Sequence, residues 1–448
     1  MTQHGRRLGH RITRRRFLQA TSAATAAVPL FVPGVVLGKN GGTAASERIA
    51  VGMIGSGDRA NQLAQPLLGM SDVQITATCD PVADKRRALK ASVETAYASR
   101  RGDGGFEGCT DYNDFRELLA SAQTDAVVIT SPENWHALQS VAAAKAGKDI
   151  YCEKAMAKTI AEGRAVVKAV RENGRVFQVG QQQRSDPIFA LAVKMVRDGD
   201  LGELRIIKVG VPGNRTGPLV NPQPVPEGLD WDLWQGPAPE RPYQPERLVN
   251  MVWMSTYDYC AGYQAGWGAH HVDIAQWGNR TDHTGPVEVE STGVFPTEGI
   301  CDCPISWHSD FLYANGVRLV FTSYDENAMG IRFEGSEGRV YVNRGRIEAG
   351  PDSFKPVLEA KLPSDYVPNV HRDGTPAHLR NFLDCVKSRN DPVAPVEIGH
   401  RTNVICDLSD IATRLKRKLR WNPETEQFID DDEAGAMLSR EMRAPWRI

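Results

Sequence analysis

The chain has 448 residues, of which 41% are hydrophobic, and a formal net charge of -2. This length exceeds the size at which one hydrophobic core stops growing, so we expect two domains. The sequence shows no polybasic face and no long acidic tail, which argues against nucleic acid as a main partner.

The N-terminal segment differs in composition from the rest of the chain. Arg14, Arg15 and Arg16 precede a modestly apolar stretch, Phe17 to Leu37, that prolines and a glycine interrupt. This order predicts an export signal of the twin-arginine type. The alternative is a membrane anchor, but many small residues favour a cleaved signal. We expect residues 1–46 to be signal and linker, with no stable membrane span after cleavage and a periplasmic or otherwise exported protein.

The eight cysteines do not indicate a metal site. Cys79 and Cys152 end apolar runs that predict buried strands, where a free thiol behaves as a small hydrophobic side chain. Cys301 and Cys303 are too few for a zinc site built from thiolates. We therefore expect no metal.

Strand and helix patterns alternate after the signal. Short apolar runs predict strands at 48–54, 73–79, 125–130, 149–152 and 175–180, with helical patterns at 136–147 and 159–173. This alternation predicts a Rossmann domain, a doubly wound parallel sheet with helices on both faces, which we assign to residues 47–174.

The first turn, "IGSGDRA", predicts a dinucleotide site. Gly55 permits a tight turn after the first strand, and Gly57 lets a pyrophosphate approach the N-terminus of the next helix. Asp58 and Arg59 begin that helix and join the predicted cofactor contacts.

Asp80 ends the second predicted strand. A carboxylate at this position accepts hydrogen bonds from ribose hydroxyls and repels a 2′-phosphate, which favours NAD. Lys85, Arg86 and Arg87 follow closely, so NADP remains possible. The alternative interpretation of Asp80 is a simple helix-start residue.

Five motifs in a fixed order carry a family resemblance. They are Gly55-Ser56-Gly57, "TSPENWH" (130–136), "EKA" (153–155), "GQQQRS" (180–185) and "WGAHHVDIAQW" (267–277). Together they resemble the Gfo/Idh/MocA family of glucose-fructose oxidoreductase, inositol dehydrogenase and rhizopine catabolism proteins. The similarity runs from Arg48 to Pro445 and includes stretches that resemble a subgroup of exported bacterial members.

The resemblance implies a catalytic lysine. Family members usually have Glu-Lys-Pro where this chain has Glu153, Lys154 and Ala155, with the lysine near the nicotinamide and the substrate hydroxyl. A partly desolvated lysine favours its neutral form and can exchange a proton with an alcohol. The alternative is a solvated surface lysine. Glu153 and Lys154 are also counted among the cofactor contacts.

The resemblance also implies a histidine that follows an aspartate by one helical turn. The histidine position falls on His270, our candidate general acid/base, but Gly266 stands where the aspartate is expected. The alternative for His270 is a buried core histidine. Trp267 and His271 flank it as candidate substrate contacts, although His271 and Asp273 also suit packing or orientation. Asp258 is a possible source of the missing carboxylate.

Other family positions predict further contacts. Pro132, Asn134 and His136 match positions that line the cofactor cleft. Gln182 and Arg184 are expected near the substrate mouth.

Residues 175–448 show frequent, hairpin-like strand patterns followed by helical runs. They predict a second α/β domain with a large, mostly antiparallel open sheet for substrate binding and oligomerisation. The resemblance implies a homodimer or homotetramer. It also implies an NAD(P)-dependent oxidoreductase acting on a sugar, polyol or glycoside hydroxyl. The alternatives are an NAD-dependent glycosidase or lyase that oxidises its sugar transiently, and a sugar-binding protein that has lost catalysis.

Overall fold

Two β-sheets and their helices account for residues 47–101, 108–323 and 326–448, the parts of the chain that the computed structural model describes. The predicted export segment, residues 1–46, lies outside these residues and stays a prediction.

Six parallel strands form the first sheet: β1 (Ile49–Ile54), β2 (Val73–Cys79), β3 (Thr110–Tyr112), β4 (Ala126–Ile129), β5 (Asp149–Cys152) and β6 (Phe177–Val179). Their order is β3-β2-β1-β4-β5-β6, which confirms the predicted Rossmann sheet. The order reverses between β1 and β4, and open α/β sheets bind ligands at such a switch point. The sequence did not predict β3, because its three residues are exposed or partly buried and form no apolar run.

Five helices follow strands of this sheet: α1 (Asp58–Gly69), α2 (Ala83–Arg101), α3 (Phe115–Ala120), α4 (Glu133–Lys145) and α5 (Ile160–Glu172). The hydroxyl of Thr159 accepts a hydrogen bond from the backbone N–H of Glu162 at 3.3 Å and so caps α5. The first turn of α4 is buried, which places its polar side chains inside the protein.

Nine strands form the second sheet: β7 (Leu204–Val211), β8 (Pro286–Val294), β9 (Ser306–Tyr313), β10 (Arg318–Ser323), β11 (Gly330–Gly335), β12 (Arg339–Asn343), β13 (Arg346–Gly350), β14 (Leu419–Asn422) and β15 (Gln427–Phe428). Their order is β13-β12-β11-β7-β10-β9-β8-β14-β15. Strands β7 and β10 pair in parallel, whereas the other neighbours pair antiparallel. The predicted mostly antiparallel sheet is confirmed.

The remaining helices are α6 (Pro187–Arg197), α7 (Trp231–Gln235), α8 (Asn250–Trp253), α9 (Gly262–Gly266), α10 (Gly268–Gly278), α11 (Lys355–Glu359), α12 (Thr375–Ser388), α13 (Val396–Leu415) and α14 (Asp432–Ala436). Helices α6, α10 and α13 bury apolar side chains in one core with the second sheet. This core fixes α10, the helix that carries His270.

Helix α12 packs on the first sheet, although the sequence analysis placed it in the second domain. Leu379, Phe382 and Leu383 are fully buried in one cluster with Val51 of β1 and Ile75 of β2. Strand β6 also extends the first sheet beyond residue 174. Residues after 174 therefore contribute a strand and a helix to the region of the first sheet, which local sequence patterns do not predict.

All eight cysteines are buried and free of disulfides. Among the described residues, no three His, Cys, Asp or Glu side chains are grouped so that they could hold a metal ion. None of the described helices combines the length and apolar character needed to cross a membrane.

Candidate active site

A cleft opens at the carboxyl ends of β1, β2 and β4. Leu233, Trp234 and Trp253, from the segment that connects β7 to β8, line its other wall. Backbone hydrogen bonds join the walls: Ala83 N–H donates to the Gly228 carbonyl at 2.8 Å, and Asp230 N–H donates to the Pro81 carbonyl at 3.0 Å. The cleft is therefore enclosed by parts of the chain far apart in sequence.

The glycine turn forms the floor of the cleft. Gly55 has φ +88°, and a Cβ there would lie 2.7 Å from the backbone of Thr130 and Ser131. A Cβ at Gly57 would meet no atom within 4 Å, so the space before the N-terminus of α1 is open. Backbone N–H groups at a helix N-terminus favour phosphate, so this cradle fits a dinucleotide. Asp58, Arg59 and Pro132 also line the cleft.

Asp80 lies at the cleft with both carboxylate oxygens hydrogen-bonded. Oδ2 accepts from Ser56 N–H and Oδ1 from Val82 N–H, each at 2.8 Å. Burial raises the pKa of Asp80, while these bonds and the nearby Lys85 and Arg86 oppose the rise. Each carboxylate oxygen has a second lone pair that remains available to a ribose hydroxyl.

Replacing Asp80 with Ala is expected to weaken NADH binding by about 10- to 100-fold and to reduce discrimination against NADPH, because an acceptor and a phosphate-repelling charge are lost together. Quenching of tryptophan fluorescence measures both affinities, since Trp234 and Trp253 line the cleft. Asp84→Ala is the matched control, because Asp84 is exposed in the first turn of α2. Equal NADH affinity in Asp80→Ala and the wild type would reject the assignment.

Glu153 and Arg59 form an ion pair at the edge of the cleft. Arg59 Nε donates to Glu153 Oε1 at 2.7 Å, while Arg59 Nη2 is buried without an acceptor among the described residues. Gly180 makes room for this pair, because a Cβ there would lie 2.8 Å from the Glu153 carboxylate. The unsatisfied Nη2 is a donor available to a bound cofactor.

Lys154 lies two residues after the end of β5 and is partly buried. In the described part of the chain, no carboxylate lies within ion-pair distance of its ammonium. Burial lowers the pKa of Lys154, while the charge of Glu153 acts in the opposite direction. The neutral amine is therefore more populated than in a free lysine, which suits a group that takes up a proton.

His270, His271 and Trp267 meet at the start of α10. The Trp267 ring lies 5.7 Å from the His270 ring and 5.9 Å from the His271 ring. His271 Nδ1 lies 3.1 Å from the Gly210 carbonyl, whereas His270 Nδ1 is buried with no partner within the described residues. His271 thus connects α10 to β7 through Nδ1, while each of the two histidines keeps one buried ring nitrogen, Nδ1 of His270 and Nε2 of His271, without a partner among the described residues.

Burial lowers the pKa of His270 well below its usual range, and the positive charges of Arg344 and Lys154 add to this effect. His270 and Lys154 are therefore close enough to influence each other electrostatically. His270 stays neutral at physiological pH, so it acts as a hydrogen-bond partner more readily than as a cationic acid.

The Met254 side chain occupies the space that an aspartate side chain at position 266 would need. A Cβ at Gly266 would come within 2.7 Å of the Met254 methyl group. Asp258 does not replace the carboxylate, because it pairs with Arg241 at 2.7 Å.

Gly266→Asp is expected to lower both sugar oxidation and stability, the latter by about 1 to 3 kcal/mol, because it buries a carboxylate against Met254. Gly266→Ala should cost less, since the flexible methionine methyl can shift. Thermal unfolding and NADH formation on one sugar panel measure the two effects. A gain in oxidation for Asp, but not for Ala, would show that the site lacks a carboxylate.

Asn134 and His136 are not among the residues that line the cleft, and their role in cofactor binding stays a prediction. Asn134 is fully buried and donates to the Gln235 carbonyl at 2.9 Å. The two His136 ring nitrogens lie 2.6 Å from the Ala155 carbonyl and 2.8 Å from the Ser131 carbonyl. Both belong to the buried first turn of α4, and His136 positions the backbone next to Lys154.

The Arg184 guanidinium is not available at a substrate mouth, because it forms ion pairs with two carboxylates. Its Nε and Nη2 donate to Asp273 at 2.8 Å, and Nη2 donates to Asp282 at 2.6 Å. Arg184 is 7% exposed and Asp273 is fully buried. The pair connects the turn after β6 to α10.

Gln182 is buried, and its side-chain oxygen has no hydrogen-bond partner among the described residues. The same holds for the oxygen of Gln181, whose amide donates to the Ala269 carbonyl at 3.4 Å. Unsatisfied buried acceptors beside the start of α10 are consistent with a polar ligand.

Glu133 is a site residue that the sequence analysis passed over. Its Oε2 accepts from the Cys260 thiol at 3.1 Å, and burial raises its pKa to about 7, against the charges of Lys158 and Lys154. Its place in "SPENWH" is the available signal, but an acid in a first helical turn is ordinary. Arg344 was also missed, and nothing in its local sequence marks it.

The fold and the cleft define an NAD-binding Rossmann enzyme with a second α/β domain. The chain belongs to the Gfo/Idh/MocA oxidoreductase family. The family's NAD-binding Rossmann fold matches residues 49–181, and its C-terminal alpha/beta domain matches residues 215–448.

Among curated relatives, inositol 2-dehydrogenase from Salmonella typhimurium (strain LT2) is 32% identical over 158 residues, covering 35% of this chain and 42% of that protein. Levoglucosan dehydrogenase from Pseudarthrobacter phenanthrenivorans is 34% identical over 161 residues, covering 35% of this chain and 39% of that protein. These matches span less than half of either relative.

Among solved structures, the WlbA dehydrogenase from Bordetella pertussis, in complex with NADH and UDP-GlcNAcA, superposes with a TM-score of 0.63 at 17% identity. The superposition covers 84% of this chain and 98% of that one. At this identity the likeness concerns the fold.

Proposed function

We propose that this protein oxidises a hydroxyl group of a sugar or polyol, with NAD in the cleft as hydride acceptor. The observation that carries the proposal is Lys154, a partly buried lysine without a carboxylate partner among the described residues, at the carboxyl end of a parallel strand. The relatives named as inositol and levoglucosan dehydrogenases support this substrate class.

When bound, NAD accepts a hydride from the carbon that bears the reacting hydroxyl. A side chain of the protein accepts the proton of the reacting hydroxyl. Lys154 Nζ, in its neutral form, takes the hydroxyl proton, and the hydroxyl oxygen becomes a carbonyl oxygen. His270 orients the hydroxyl through its unpartnered Nδ1, while Arg59 and the glycine turn hold the cofactor.

Purified protein tests the proposal directly. Incubation with NAD and a panel of sugars and polyols should form NADH, followed by its ultraviolet absorbance, together with an oxidised sugar. Sugar binding without NADH or any product would instead identify a homologue that has lost catalysis, the alternative suggested by Gly266 and Ala155.

The second candidate is a glycosidase or lyase that oxidises its sugar transiently and ends each cycle with the cofactor restored. The enclosed cleft favours this candidate, because the wall joined through Gly228 and Asp230 would slow cofactor release. Cleavage of a glycosidic bond without net NADH, by protein that retains NAD through purification, would establish it. Net NADH formation would reject it.

We also propose export by the twin-arginine route to the periplasm. The support is the arginine run at 14–16 before Phe17 and the apolar stretch. Cell fractionation should find the protein outside the cytoplasm, and replacement of both Arg14 and Arg15 by Lys should retain it inside. Unchanged export of that variant would reject the route.

We further propose a homodimer or homotetramer formed through the outer face of the second sheet. Val294 and Leu312 are 56% and 36% exposed on that face, on neighbouring strands β8 and β9. Size-exclusion chromatography with light scattering measures the mass, and a monomer at micromolar concentration would contradict the proposal.

A further inference from the structure

Arg344 lies in the tight turn between β12 and β13. Its backbone N–H donates to Asn343 Oδ1 at 2.8 Å, and the Gly345 carbonyl accepts from Asn369 N–H at 2.8 Å. Gly345 has φ +76°, which a glycine adopts without strain. The turn is therefore held at both residues, and the position of Arg344 is well defined.

The Arg344 side chain faces the candidate active site. Its Cζ atom lies 4.8 Å from the centre of the Trp267 ring, in a cation–π arrangement. The same ring contacts His270. Arg344 belongs to a hairpin of the second sheet and thus lies next to Trp267 and His270, the residues proposed to surround the substrate hydroxyl.

The Arg344 guanidinium has no anionic partner in the described ranges. Its Nε is buried without an acceptor, and no described carboxylate lies within ion-pair distance. Asp186 and Asp373 are near enough to act on its charge, but Asp186 caps α6 through Ile188 N–H and Asp373 accepts from Thr375. Burial and the charge of Arg59 lower the pKa of Arg344, whereas the charges of Asp373, Asp186 and Glu153 act in the opposite direction without any of these carboxylates pairing with its guanidinium.

Two other arginines near the site, the partly buried Arg59 and the buried Arg184, differ in this respect. Arg59 pairs with Glu153, and Arg184 pairs with Asp273 and Asp282. A desolvated cation without a partner is costly, and a ligand anion would remove that cost. The planar guanidinium fork matches a carboxylate, and one unpaired guanidinium matches a single negative charge better than a phosphate dianion.

We propose that Arg344 binds the carboxylate of an acidic sugar, so that the substrate class is a sugar acid such as a uronate. This inference rests on the proposed sugar oxidation. In this arrangement Trp267 supports one face of the guanidinium, and His270 and Lys154 meet a hydroxyl of the same sugar.

The test measures binding to the full chain loaded with NADH, by isothermal titration. The probes are two matched pairs, D-glucuronate with D-glucose and D-galacturonate with D-galactose. At least one uronate is expected to bind about 10- to 100-fold more tightly than its neutral partner, as for a hydrogen bond to a charged group. Arg344→Gln should remove that difference. Uronates that bind no better than neutral sugars, or a preference that survives Arg344→Gln, would overturn the inference.

The matched control is Arg346→Gln, since Arg346 lies on the same hairpin but is exposed and paired with Glu348. This control should keep the uronate preference. Arg344→Lys keeps the charge without the fork and should retain part of it. Tighter binding of glucose 6-phosphate than of either uronate would overturn the carboxylate assignment.

NADH affinity distinguishes a failure of the proposed function from a failure of the Arg344 assignment. Wild-type protein that fails to bind NADH contradicts the proposed function itself. Normal NADH affinity with no uronate preference contradicts only the role of Arg344. A matching loss of NADH affinity in Arg344→Gln would place Arg344 in the cofactor site and overturn the inference.

Discussion

Replacing Lys154 with Met is expected to reduce turnover by about 10²- to 10⁴-fold while NADH binding stays within about 2-fold, because the proton acceptor is lost and an unbranched apolar stem remains. In the wild type the rate should rise with pH through the lowered pKa of Lys154, as the neutral amine becomes populated. The variant should lose this rise.

Initial rates across a pH series, with NADH affinity measured in parallel, check this expectation. Lys145→Met is the matched control, because Lys145 is exposed at the end of α4, away from the cleft. Turnover in Lys154→Met equal to that of the control would remove Lys154 from the mechanism. A loss of NADH binding together with turnover would assign it to cofactor binding.

Arg184→Met is expected to lower the free energy of unfolding by about 3 to 5 kcal/mol, because it leaves the fully buried Asp273 as an uncompensated charge. Unfolding in urea measures the change. Replacing Asp273 with Leu in the same chain should recover part of the loss, since the variant then buries no unpaired charge.

Arg171→Met is the comparison for this effect, because Arg171 and Asp391 form an exposed ion pair. Its cost should stay below about 1 kcal/mol. Arg184→Met with wild-type stability but weakened sugar binding would restore the original expectation that Arg184 contacts substrate.

Several features could be predicted from the sequence because they depend on local structure. The spacing of apolar residues determines which segments form strands, and the Gly55 turn requires a conformation that glycine adopts easily. Lys154 was identified because it lies two residues after a predicted strand, and the carboxyl ends of parallel strands share one edge of the sheet.

Other features could not be predicted from the sequence, because a residue's surroundings depend on what packs against it. Asn134 and His136 follow β4 as expected, but the first turn of α4 is buried, so their side chains face backbone carbonyls instead of the cleft. The sequence of α12 likewise shows an apolar helical face without indicating that this face covers the first sheet.

The sequence by itself determined the alternating strands and helices, the nucleotide turn and the position of Lys154, because each follows from the properties of neighbouring residues. Tertiary structure alone decided the partners of the charged side chains. Arg184 meets Asp273, Glu133 meets Cys260, and Arg344 reaches Trp267 without a carboxylate among the described residues. The physical reason is that a buried charge acts through whichever groups lie within a few ångströms, and those groups come from segments far apart in the chain.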